Sequence, residues 1–213
     1  MLIERTAKDF VMDVASESPT PGGGSVSALV GSLGSALTCM VGHLTIDKKA
    51  YELVPEDKKN EMKNELKIIN ELTDSLLKLV DEDSTAFDDV MRAFKLPKNN
   101  EEEKKIRSAA IQIGYKKALE VPLRSGETCY EILANQELFA EYGNIHAITD
   151  VGVGTLLAYA ALEGSLFNVT INLKSIKDVE YKAEIEKKVS QLILDGKKLR
   201  DSLLEIVYRR LNN

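Results

Sequence analysis

The sequence predicts an all-α protein: a helical bundle gathered around two buried helices rich in small residues, with long amphipathic helices packed onto them. Three observations carry this expectation. Residues 56–95 contain neither Gly nor Pro, and apolar residues recur through them in alternating steps of four and three. Residues 25–45 and 151–168 are dominated by small and apolar residues. Outside residues 167–173, no stretch alternates convincingly between apolar and polar residues as a half-buried strand would.

With 213 residues the chain is expected to form a single domain, residues 1–213, able to bury a core without disulfide or metal staples. The formal net charge of −6 argues against nucleic acid as a partner, because binding phosphates needs a basic face. An anionic small molecule would need a local basic pocket. Cys39 and Cys129 stand apart, with no CxxC spacing and no secretory n-region ahead of them, so reduced thiols and a cytoplasmic location are expected. His43, His146 and the two cysteines fit no standard ligand spacing, so no metal site is expected.

Ile3, Ala7, Phe10, Val11 and Val14 share one face of an opening amphipathic helix over residues 3–17, ended by Pro19. Gly22, Gly23 and Gly24 release a second helix, from Ser25 to about Thr45, which has no Pro, acidic residue, Lys or Arg and reads as buried on every side. It is long enough to be mistaken for a membrane span. Ser27, Ser32, Ser35, Thr38 and His43 spread polarity along it, however, and no consistent second span follows, so no membrane partner is expected. Small residues at 31, 35 and 39 repeat every four positions and let neighbouring helices come close. Ser25 is the expected N-cap. The free N–H groups of this helix start, next to glycines that admit a ligand to the backbone, can cradle an anion or a polar ring at Gly22, Gly23, Gly24 and Ser25. A bare Gly triplet reads first as a flexible turn, and the buried helix behind it is what favours a cradle; no Gly-Lys-Ser/Thr closes it as a phosphate loop.

Lys48 and Lys49 follow the second helix, where the helix dipole alone favours cations. Residues 56–95 suit one helix of roughly 60 Å at about 1.5 Å per residue. Its seam reads Met62, Leu66, Ile69, Thr73, Leu76, Val80, Asp83, Phe87, Val90 and Phe94. Asp83 is the anomaly. A carboxylate on a buried stripe is costly unless paired, and burial raises its pKa toward the range useful for proton transfer. A structural Asp at a local break in the seam is the alternative.

Asn100 caps the next helix, and Pro122 is expected to kink or restart it, freeing a carbonyl near Ala118. A further run ends near Tyr142 and Gly143. Asp150 is the expected N-cap of the second small-residue helix, and Asn168 and Asn172 near its end are either structural or ring-recognising amides. The last helix, over residues 178–210, puts Ile185, Val189, Leu192, Gly196, Leu199, Leu203 and Ile206 on one face, for packing within the chain or across a dimer.

Carboxylates on apolar faces, a glycine-rich helix start and a Lys pair suit metal-free proton transfer on a bound small molecule with an anionic tail. Four motifs sharpen this. Pro19-Thr-Pro-Gly-Gly-Gly-Ser-Val-Ser-Ala28, Leu44-Thr-Ile-Asp-Lys-Lys-Ala-Tyr51, Val80-Asp-Glu-Asp-Ser-Thr-Ala-Phe87, and Asp150-Val-Gly-Val-Gly154 with Phe167-Asn-Val-Thr-Ile-Asn-Leu173, resemble the cyclodeaminase/cyclohydrolase family. That family holds the cyclodeaminase half of formiminotransferase-cyclodeaminase and stand-alone methenyltetrahydrofolate cyclohydrolases. The resemblance spans nearly the whole chain, in order. It departs at Asp47, where the family pattern has a Gly, and at Ala50, where a third Lys is common.

The resemblance implies an all-helical homodimer that acts on one-carbon tetrahydrofolates, polyglutamylated or not, with no cofactor beyond that substrate. It implies Asp83 as acid/base and Asp150 as a pterin-binding or second proton-transfer group. Gly22, Gly23, Gly24 and Ser25 would face the folate, Lys48 and Lys49 its glutamate carboxylates, and Asn144 joins the substrate-binding set. The reaction is either hydrolysis of methenyltetrahydrofolate or cyclisation of formiminotetrahydrofolate with loss of ammonia. A non-catalytic folate-binding or scaffold protein is the alternative.

Overall fold

The structure, a computed structural model, describes residues 1–212. In chain order the helices are α1 (Ala7–Val14), α2 (Gly23–Thr45), α3 (Glu56–Phe94), α4 (Glu101–Ala134), α5 (Glu137–Tyr142), α6 (Ile148–Leu173) and α7 (Val179–Leu211). Short 3₁₀ turns occupy Leu2–Glu4, Lys49–Leu53 and Ile145–Ala147. There is no strand among the described residues, and residues 167–173 form the last turns of α6.

The two small-residue helices lie side by side and antiparallel. Gly23 abuts Asn168, Gly164 abuts Ser27, and at the far end the Asn144 N–H donates to the Thr45 hydroxyl at 2.9 Å. At mid-length the backbones touch. A Cβ on Gly34 would lie 2.7 Å from the Gly154 carbonyl oxygen, and a Cβ on Gly154 would lie 2.7 Å from that of Gly34. Nothing larger than glycine fits both positions while the helices stay at this spacing.

Hydroxyls and one amide satisfy the polar groups this centre buries. Gln136, fully buried between α4 and α5, donates to Thr38 at 2.7 Å and accepts from Thr155 at 3.1 Å, tying α2 to α6. Ser35 and Thr73 share a 2.7 Å hydrogen bond between α2 and α3. Buried polar atoms without such partners would oppose the fold.

The remaining helices wrap this pair. On α3, Met62, Ile69, Leu76 and Val80 are fully buried as the seam predicts, whereas Phe87 and Phe94 are partly exposed. α7 packs within the chain against α6, where Gly196 meets Leu162 and Gly152 meets Val207.

Several local expectations change. α1 is shorter than residues 3–17, because Thr6 caps it at residue 7 and the Ser16 hydroxyl bonds back to the Asp13 carbonyl; Phe10 is its one buried side chain. α2 begins two residues early, with Gly22 as N-cap; Ser25 lies inside the first turn and turns its hydroxyl toward α3. α4 runs unbroken through Pro122, because Asn172 of α6 donates to the freed Ala118 carbonyl at 3.2 Å.

Nor is α2 buried on every side. Leu33 is 52% exposed, and on α6 Leu156 and Phe167 are 50% and 65% exposed, since the other helices surround only part of the central pair. The two apolar stripes flank the seam between the helices, where Leu37 and Leu157 are half-buried. By length and composition a second segment, Ile145–Leu173, also qualifies as a span, with mean hydropathy 1.4 against 1.5 for α2. Each buries more than half of its apolar window inside the protein.

Glu65 of α3 carries the one side-chain oxygen that is buried without a partner among the described residues. Burial, then the Glu61 and Glu137 carboxylates, push its carboxyl up to about 7 from an ordinary 4.5, against the pull of Lys58. The folded protein therefore holds this proton more tightly than the unfolded chain, and stability falls as pH rises from about 4.5 to about 7. Glu65→Gln is expected to melt higher than the unaltered protein at pH 8, with the gap closing at pH 4; equal gaps at both pH values would refute this. Gly34→Val, which drives a branched side chain into the α6 backbone, is expected to lower unfolding free energy by about 3 kcal/mol in urea titration.

Candidate active site

Asp83 projects from α3 onto the first turn of α2. Its Oδ2 accepts from the Ser25 hydroxyl at 3.1 Å, and the Ser25 backbone N–H also faces the carboxylate. Gly22 is an N-cap without a side chain, so Asp83 supplies from another helix the acceptor that a capping Ser or Asp would give. A Cβ on Gly24 would fall on the Asp83 carboxylate, so the glycine at this position makes room for the acid. Burial pushes the Asp83 carboxyl above its ordinary value, and the two Ser25 hydrogen bonds pull part of the way back.

This carboxylate borders a cavity of about 540 Å³, within the roughly 300–1,000 Å³ typical of small-molecule sites. Gly22, Gly23 and Gly24 form one wall; Phe87, Met91 and Phe94 of α3, with Tyr115 of α4, form an apolar one; Asn168 and Asn172 stand on α6. Phe94 and Tyr115 meet edge to face with ring centroids 6.2 Å apart. The aromatic wall was hidden in the sequence because Phe87 and Phe94 continue the α3 seam, and only their partial exposure separates lining from core. Tyr115 carried no signal of its own.

The other predicted residues lie at the opposite end of the central pair. Gly23 and Thr45 are separated by roughly 33 Å of helix at about 1.5 Å per residue. Lys48, Lys49 and Asn144 line a second cavity of about 440 Å³, together with His146 and Arg210. Asn144 caps the Ile145–Ala147 turn, accepting from the His146 N–H at 3.0 Å. Asp150 is not the N-cap of α6; Ala147 holds that position because the preceding 3₁₀ turn runs straight into the helix, leaving Asp150 in the first turn. About 27 Å of helix separates Asp150 from Asn168. Within one chain, then, Gly22, Gly23, Gly24, Ser25 and Asp83 converge, while Lys48, Lys49, Asn144 and Asp150 do not join them.

Asp47 has φ 58°, the left-handed region that favours glycine, so the departure from the family pattern falls at a position whose backbone explains the pattern's Gly. Burial pushes the Cys129 thiol up to about 12 and raises that of Cys39, so neither is a ready thiolate nucleophile at neutral pH.

Comparison with known proteins identifies the family. The sequence pattern of formiminotransferase-cyclodeaminase matches residues 6–191. The methenyltetrahydrofolate cyclohydrolase of Methylorubrum extorquens is 39% identical over 97% of this chain and 98% of its own. The formimidoyltransferase-cyclodeaminase of Gallus gallus is 36% identical over 98% of this chain, which spans 38% of that longer protein. The crystal structure of formiminotetrahydrofolate cyclodeaminase from Thermotoga maritima matches with a TM-score of 0.78 at 29% identity, covering 100% of this chain and 98% of that one. With its pattern, its relatives and its helical arrangement all pointing the same way, the chain belongs to the formiminotransferase-cyclodeaminase family.

Proposed function

We propose that this protein is a folate one-carbon enzyme that hydrolyses 5,10-methenyltetrahydrofolate to 10-formyltetrahydrofolate, with Asp83 as its acid/base. The observation that carries the reading is a half-buried carboxyl of raised pKa, held on a helix start and opening onto a cavity of substrate size. The near full-length similarity to a cyclohydrolase supports hydrolysis as the reaction. Cyclodeaminase chemistry is the second reading, supported by the similarity to a cyclodeaminase chain of matching length.

In hydrolysis, Asp83 takes a proton from water as its oxygen adds to the methenyl carbon, which lies between N5 and N10. It then returns a proton to N5 as the carbon–N5 bond breaks. The new hydroxyl loses its proton to become the formyl carbonyl on N10, so one water is consumed and one proton released. In cyclodeamination N10 attacks the carbon of the protonated formimino group, whose nitrogen already carries two hydrogens; the carboxylate takes the N10 proton and delivers it to that nitrogen, which leaves as ammonia as the methenyl cation forms. One group that both gains and loses a proton near neutral pH serves either course. The reading requires no metal, no further cofactor, no nucleic acid and no membrane, and places the protein in the cytoplasm.

The same reading includes a homodimer. The apolar stripe that α2 leaves exposed or half-buried runs from Val26 to Leu44 and is centred at the level of Ser35, whose own side chain is buried toward α3. A two-fold axis at that midpoint sets Gly22 of one copy opposite Lys48 of the partner subunit. Asp150 of the partner subunit then also approaches the cavity along α6. Lys48 and Lys49 would hold the tail carboxylates, mono- or polyglutamate, in trans.

Asp83→Asn is expected to reduce kcat by about 10²- to 10⁴-fold in an assay of methenyltetrahydrofolate absorbance. The acid limb of kcat/KM should lie above the ordinary carboxylate value, because activity falls as pH drops through the raised pKa of Asp83, and the Asn variant should lack it. No turnover of either the methenyl or the formimino compound by the unaltered protein would sink the enzymatic reading. For the shared site, co-expressing Asp83→Asn with a Lys48→Ala/Lys49→Ala chain should restore about a quarter of the activity, since half the dimers then carry one intact site. Mixed dimers no more active than the two parents would refute assembly in trans.

A further inference from the structure

Asn168 and Asn172 stand one turn apart on α6, on a common face, and both border the Asp83 cavity. The nitrogen of each amide is already engaged. Asn168 Nδ2 donates to the Gly164 carbonyl at 2.9 Å, and Asn172 Nδ2 donates at 3.2 Å to the Ala118 carbonyl that Pro122 deprives of its helical donor. Flipping either amide would set its oxygen against a carbonyl oxygen, so the backbone fixes both orientations. Among the described residues neither Oδ1 receives a hydrogen bond from the protein. Two fixed acceptors therefore sit side by side on one wall, open to water or to the donors of a bound ligand.

We infer that Asn168 and Asn172 are specificity residues whose side-chain oxygens accept the two N–H donors of the 2-amino group on the substrate's aminopyrimidinone ring. The inference rests on the folate reading and adds which end of the molecule meets α6. Bare backbone links this wall to the acid: Gly23 abuts the Asn168 amide, and Gly24 makes room for the Asp83 carboxylate. A flat ring can lie along those glycines with its donor edge on the amides and its one-carbon side toward Asp83. The engaged nitrogen of Asn172 gives it a structural task as well, so the test must read recognition separately from folding.

Equilibrium binding to the intact protein provides that readout, with 5-formyltetrahydrofolate and its 2-desamino-2-methyl analogue as probes. The unaltered protein should bind the analogue at least about tenfold more weakly, because the amide oxygens lose their donors. Asn168→Ala and Asn172→Ala should each narrow the gap to within about threefold by weakening the amino ligand. An unchanged gap in the alanine variants overturns the assignment. Should Asn172→Ala fail to fold for want of a donor to Ala118, Asn168→Ala decides alone, since its amide bonds only to its own helix. Absence of turnover with the gap narrowing as expected would count against the enzymatic reading and not against this one. Failure of both probes to bind overturns both.

Discussion

The contact on which the rest of the molecule depends is the meeting of α2 and α6 at Gly34 and Gly154, where each backbone lies against the other. Close approach brings the ends of the two helices into register, so that Asn168 reaches Gly23 at one end and Asn144 reaches Thr45 at the other. Were the helices farther apart, the amides of α6 and the first turn of α2 would border separate surfaces. Dispersion between tightly packed backbones is weak atom by atom and large in sum, which lets helices nearly free of charge form the centre of the fold.

Around that centre, polar chemistry is divided by position. Along the middle, Ser35 is paired with Thr73, and Thr38 and Thr155 with Gln136, so these groups are taken up in holding the helices together. At the Gly23 end the arrangement is open: amide oxygens, a carboxylate and a helix start face a cavity. Buried polar groups that are fully paired fix a structure, whereas those with spare valence at a cavity wall are where chemistry becomes possible.

Much of the fold was legible because its signals are local. The absence of Gly and Pro over residues 56–95 and the seam from Met62 to Val80 report a helix and its buried face directly. Asp83 was legible for the same reason, as a charged residue at a position the period assigns to the core. Asp150 and Ser25 misled because a capping residue is recognised by type, whereas the cap itself is set by where the preceding turn delivers the chain; Gly22 and Ala147 took those places. Within one chain Lys48, Lys49 and Asn144 lie at the far end of the central pair from Asp83, and the length of α2 alone carried that information. The roles of Phe87, Phe94 and Tyr115 depend on which of two apolar environments, core or cavity, the tertiary arrangement provides, and periodicity cannot tell these apart.

Gly22 has a further consequence, because a helix start without a capping side chain leaves its N–H groups to Asp83. Stability engineering would fill such a position with Ser or Asp, a change that commonly strengthens a helix. Here the new side chain would compete for the donors that orient the carboxylate, and the gain in α2 would come at the expense of the acid. The sequence is therefore held in a trade-off at this position: the central helix stays weaker at its first turn than its length allows, and that weakness keeps Asp83 in place.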